Sequence, residues 1–120
     1  VPLNLIFEDK SYRDGVDMTP SEFYTLLEQG ETIPTTSAPS VGGFLELYRN
    51  LSLKVDSIAC ILLSSKVSAS YDAAMQAKEL ALAEFPETAI EIINSHTTTG
   101  ALGFIVREAA RTAAAGGTLT

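Results

Sequence analysis

Residues 57–63, SIACILL, decide how this 120-residue sequence folds. The run is of strand length, carries no charge and is apolar from Ile58 onward. A continuous apolar run of that length, bounded by polar segments, reads as a strand buried on both faces, the pattern of a parallel sheet. Outward from it the signals alternate. On its N-terminal side Ser40 can cap a helix bearing Phe44, Leu47, Tyr48 and Leu51. On its C-terminal side SSKVSAS breaks the run, and residues 71–85 read as a helix with Tyr71, Ala74, Met75, Leu82 and Phe85 inward, ended by Pro86. A further strand is expected over 88–93, then NSHTTTG, then an Ala-rich helix over about 102–115.

The first third follows the same grammar. Residues 1–7 read as a strand with Leu3, Leu5 and Phe7 on one face, and EDKSYRDG as turn chemistry around Asp14-Gly15. In TPSE, Thr19 caps a helix, Pro20 suits its first position and Glu22 completes a capping box. Phe23, Leu26 and Leu27 form its apolar stripe, and Gly30 stops it. Alternating strands and helices imply an α/β fold, a mostly parallel sheet with helices on both faces, formed by residues 1–120 as a single domain. Ligands of such sheets sit at the carboxyl ends of the strands. The loops 64–70 and 94–99 follow strands and share that edge, and PTTSAPS (34–40) is expected to fold over it.

Composition narrows the function. With 46% hydrophobic and 19% charged residues the chain is globular rather than disordered. A net charge of −7 argues against nucleic acid, whose binding needs Lys and Arg to neutralise phosphates. No apolar run approaches the ~20 residues of a membrane span, and no signal peptide is evident, so a cytoplasmic protein is expected. The single cysteine, Cys60, lies within the apolar run and reads as an inert core residue.

Most chemistries find no support in the motifs. No glycine-rich phosphate cradle exists, although Lys66 and the turn Thr97-Thr98-Thr99-Gly100 leave an α/β phosphate- or nucleotide-binding enzyme domain as an alternative. His96, the only histidine, lies in a polar loop and reads as solvent-facing. One His and one Cys provide no metal-ligand spacing, and no metal or cofactor is expected. The remaining possibility is non-catalytic. Hydroxyls donate and accept without charge, so they can orient a carboxylate or other small polar head in an otherwise apolar site at lower desolvation cost than a lysine. A lipid fits that description.

With these loops in order, the sequence resembles the DegV family of bacterial fatty-acid-binding proteins, nearly end to end. VPLNLIF and SYRDGVDMTPSEFY resemble its opening strand and turn, and PTTSAPS before FLELY resembles its T-S-Q-P-S motif and next helix. LLSSKVSASYDAA resembles its I-S-S-x-L-S-G-T-Y block, and INSHTTTGALG its D-S-x-x-x-S-x-G-x-G stretch. The resemblance implies that the chain binds one long-chain fatty acid and presents its carboxylate to a separate fatty-acid kinase in lipid metabolism, without being an enzyme itself. It implies Thr36 and Ser68 as the carboxylate-binding hydroxyls, with Ser37, Ser64 and Ser65 as secondary candidates. Ala38, Ala69 and Asn94 stand where the family has Gln, Gly and Asp. If position 69 needs a positive φ, Ala69 costs ~1 kcal/mol. The family's further first strand and its second domain, which contributes a basic residue and a histidine to the site, have no counterpart among these residues. The resemblance therefore covers most of a first domain, and an interaction fragment that pairs with a second domain or with a copy of itself is a further alternative.

Overall fold

The computed structural model describes residues 1–30 and 33–119. They form two compact units, residues 1–39 and residues 40 onward.

In the first unit, β1 (Asn4–Phe7) lies between β2 (Lys10–Arg13) and β3 (Thr35–Ser37), both antiparallel to it. Two sequence readings are corrected here. EDKSYRDG is not all turn: Glu8 and Asp9 turn, and the chain turns again from Gly15 as expected, but between them Lys10–Arg13 pair back onto β1, with Tyr12 opposite Leu5. PTTSAPS is not simply a connector, because Thr35–Ser37 zip onto the other edge of β1. Threonine favours the pleated backbone, and Pro34 and Pro39 flank the pairing without interrupting it. β1 therefore satisfies its backbone in an antiparallel ladder, not in the expected parallel one.

The helix α1 (Pro20–Gln29) starts as its sequence dictates. The Glu22 amide donates to Thr19 Oγ1 at 3.3 Å, and the Thr19 amide donates back to Glu22 Oε2 at 2.7 Å. Phe23 meets Phe7 edge-on at 5.5 Å, which fastens the helix to the hairpin.

The second unit holds α2 (Val41–Ser52), β4 (Ser57–Leu62), α3 (Ser70–Glu84), β5 (Ala89–Asn94) and α4 (Thr99–Ala114). β4 and β5 pair in parallel, Ser57 opposite Ala89 through Leu62 opposite Asn94, as the alternation of elements requires. Ser40 caps α2 by accepting the Gly43 amide at 3.1 Å. The core joins Phe44 and Tyr48 of α2, Ile58 of β4, Ala74, Ala77 and Ala81 of α3, and Ile90 and Ile92 of β5. Two expectations change in α3. Leu82 points outward, and Ala77 and Ala81 go in, because small side chains on one helical stripe let α3 approach α2 closely enough to seal Phe44 and Tyr48. β4 is buried on one face only: Ile58 is enclosed, while Ala59 is exposed beside Glu91 and Ile93 of β5.

The α4 helix ends in a glycine-dependent turn. Gly116 takes φ +88°, and the Gly117 amide returns to the Thr112 carbonyl at 2.9 Å. A Cβ at Gly117 would fall 2.6 Å from the Thr112 methyl and 2.9 Å from its carbonyl oxygen, so that position takes no side chain without movement.

Candidate functional site

The carboxyl ends of β4 and β5 release two loops that are laced into one edge. The Ser64 amide donates to the Thr97 carbonyl at 2.9 Å, and the Ser95 amide to the Leu62 carbonyl at 3.0 Å. Asn94 fixes the crossing. Its Nδ2 donates to Ser65 Oγ at 2.8 Å, and its Oδ1 accepts the His96 amide at 3.0 Å and the Ser65 amide at 3.4 Å. An Asx turn of this kind is a local signal of the polar residue that ends a strand. The sequence reading noted Asn94 only as a departure from a motif.

The hydroxyls along this edge differ in how far they are committed. Ser64 is buried, and its Oγ accepts the Lys66 amide at 3.3 Å. Ser65 is exposed and takes the Asn94 amide. Ser64 and Ser65, two of the three secondary candidates, thus hold loop backbone or side chain in place. Ser68 is half-buried, and its Oγ lies 2.8 Å from Ser70 Oγ while accepting the Ser70 amide at 3.2 Å. It therefore guards the start of α3, whose N-cap position, Ala69, provides no side-chain bond. Ala69 has φ −75°, so the chain needs no positive φ there and the anticipated cost of replacing glycine is absent. Strain sits in the neighbouring loop instead: His96 and Thr99 adopt φ +54° and +53°. A β-branched residue in the left-handed region is uncommon, and sequence alone gave no sign of it.

His96 is exposed, as expected. Lys66 is exposed on a loop without glycine, which leaves no backbone cradle for a phosphate. Among the described residues no His, Cys, Asp and Glu cluster has metal-binding geometry. Cys60 is largely enclosed beside the Tyr48 hydroxyl, and burial pushes its thiol above the ordinary range, the opposite of an activated nucleophile.

Thr36 belongs to the first unit. It stands opposite Leu5 in the β1–β3 ladder, is exposed, and its hydroxyl has no hydrogen bond among the described residues. Its neighbour Ser37, a secondary candidate, is a strand residue whose Oγ is occupied, accepting from Asn4 Nδ2 at 3.2 Å. Of the named hydroxyls, Thr36 is thus the one left free to engage a ligand.

An α/β chain whose parallel strands end in hydroxyl-bearing loops has the architecture of a small-ligand binding domain. The DegV family of uncharacterised proteins matches over residues 1–120, and the chain belongs to it. A DegV domain-containing protein of Caldanaerobacter subterraneus subsp. tengcongensis is 38% identical over 116 residues, 97% of this chain and 40% of that protein. Among solved structures, a stearic acid-binding protein from Eubacterium ventriosum superimposes with a TM-score of 0.90 at 30% identity, covering 99% of this chain and 41% of that one. DegV of Bacillus subtilis, a fatty acid binding protein, gives 0.87 at 27%, covering 97% and 40%. The chain thus spans about two fifths of the length of these relatives. Among the described residues no helix is long and apolar enough to cross a membrane.

Proposed function

We propose that this chain forms the carboxylate-orienting part of a cytoplasmic fatty-acid-binding protein, with Thr36 and Ser68 as its hydroxyl donors. The likeness to the stearic acid-binding protein, at 30% identity across nearly the whole chain, is the observation that carries this reading. The chemistry of the two residues is consistent with it. Thr36 has an uncommitted hydroxyl. Ser68 marks the start of a 15-residue helix whose N-cap adds no side-chain acceptor, so the first-turn amides other than that of Ser70, which Ser68 Oγ already accepts, can share an anionic head group. Neutral donors hold a carboxylate in place, while burial of the acyl chain supplies most of the affinity at ~0.8 kcal/mol per methylene. The chain performs no reaction on the fatty acid; it presents the carboxylate to a kinase that activates it.

Paired titrations test this. Stearate and octadecanol share an acyl chain and differ in the head group. Stearate is expected to bind at least tenfold more tightly, and the preference to vanish in Thr36→Val/Ser68→Ala. Equal affinity for acid and alcohol in the unsubstituted protein would contradict a carboxylate site.

A further inference from the structure

The first residue of α3 is the polar member of a buried stripe. Ser70, Ala74, Ala77 and Ala81 are the buried residues of that helix, spaced so that they share one face. Alanine fills three of those places, and at the fourth the chain sets a hydroxyl-bearing residue that is only 2% exposed. A hydroxyl so enclosed needs its hydrogen-bond partner within the protein. Among the described residues Ser70 Oγ has one, Ser68 Oγ at 2.8 Å.

That single contact decides which way the protons run. A serine oxygen has one proton to donate and two lone pairs with which to accept. If Ser68 donated to Ser70, the Ser70 proton would be left buried without an acceptor. With Ser70 as the donor, its proton is satisfied. Ser68 Oγ then accepts twice, from the Ser70 hydroxyl at 2.8 Å and from the Ser70 amide at 3.2 Å. Its lone pairs are filled, and its own proton is uncommitted. Ser64 and Ser65 differ, because each accepts one N–H and keeps a lone pair open.

We infer that Ser70 is a positioning residue for the ligand: by donating to Ser68 it makes Ser68 a pure donor, reserved for a carboxylate. An ionised carboxylate accepts and does not donate, so it suits a hydroxyl with no lone pair to spare. Hydrogen bonds in a chain also polarise one another, and a Ser68 oxygen that accepts twice is a stronger donor to an anion. Ser70 acts only through Ser68. The inference rests on the lipid reading and names the residue that gives the Ser68 hydroxyl its direction.

Two measurements test it. The first needs no ligand. In equal parts of H2O and D2O, a hydroxyl whose proton exchanges slowly splits the resonance of its own Cβ in two. In protein labelled with carbon-13 serine, Ser70 Cβ is expected to be split and Ser68 Cβ to be single. A split Ser68 Cβ overturns the inference, because it places the Ser68 proton in the enclosed bond. A single Ser70 Cβ overturns it too, because that proton is then not held. The second measurement compares stearate with octadecanol. Ser70→Ala is expected to lower the affinity for stearate relative to octadecanol about threefold. Ser70→Thr, which keeps the hydroxyl, is expected to restore the ratio. An unchanged ratio in Ser70→Ala, including equal losses for both ligands, reduces Ser70 to packing and overturns the inference while leaving the lipid reading intact. Failure of the lipid reading looks different: the unsubstituted protein itself would show no preference for stearate, and both readings would fall together.

Discussion

Asn94 at the end of β5 ties the loop after β4 to its own loop, donating through Nδ2 to Ser65 Oγ at 2.8 Å and accepting the His96 and Ser65 amides on Oδ1. Oδ1 is the more demanding half of this arrangement, because two backbone N–H groups converge on it. Asn94→Ala is expected to lower the unfolding free energy by about 1–2 kcal/mol. Asn94→Asp is expected to cost under about 0.5 kcal/mol, since a carboxylate keeps both acceptor roles and the Ser65 hydroxyl can turn to donate. Urea titrations of the two variants measure the difference; equal losses would show that the Nδ2 donor, not Oδ1, holds the loops.

Thr99, at φ +53°, bears a β-branched side chain where glycine is at ease. Thr99→Gly is expected to raise stability by about 1 kcal/mol. A loss of stability would mean that the Thr99 side chain stabilises the loop by more than the backbone strain it carries.

The Tyr48 hydroxyl is fully buried with no partner in hydrogen-bond geometry among the described residues, and burial, reinforced by the Cys60 thiol beside it, raises its pKa far above the ordinary phenol value. A buried hydroxyl left unsatisfied is a cost, so Tyr48→Phe is expected to be neutral or stabilising by up to about 1 kcal/mol. Thermal unfolding followed by far-UV circular dichroism reads this out. A loss above 1 kcal/mol would show that the hydroxyl has a partner in solution.

Asp17 titrates at about 2 in place of 3.8, chiefly through its side-chain hydrogen bonds to Arg13 and secondarily through the Arg13 amide. Its folded-state pKa is depressed, so its contribution is present above pH ~4 and is lost as pH falls through about 2. The pair is solvent-exposed, so the effect at neutral pH and moderate salt is small. Carboxyl titration by nuclear magnetic resonance is expected to give Asp17 the lower midpoint, and Asp17→Asn to flatten the acid limb of the first unit. A midpoint near 3.8 would contradict the pairing.

Local chemistry made much of this fold legible. The Thr19-Pro20-Glu22 box and the Ser40 cap act within a few residues and form as their sequence indicates, and the apolar run of β4 forms the expected strand, although buried on one face in place of two. What escaped reading depends on distant partners. Lys10–Arg13 are strand residues because β1 offers them a ladder, and nothing in KSYR itself says so. Thr35–Ser37 looked like a hydroxyl-rich loop for the same reason. Ala77 and Ala81 carry no strong hydrophobic signal, and their burial follows from how closely α2 and α3 approach. At the candidate site, the sequence pointed to the hydroxyls but not to their commitments. That Ser64 and Ser65 serve the loop, and that Thr36 is free, becomes visible only once the hydrogen bonds are drawn.

Native mass spectrometry of the freshly purified protein, with organic extraction of whatever is bound, tests the central claim most directly. The account predicts an adduct in the mass range of a long-chain fatty acid, removed by extraction and lost in Thr36→Val/Ser68→Ala. An adduct retained undiminished in that variant would contradict the role given to the two hydroxyls, and a bare polypeptide mass would contradict lipid binding by this chain.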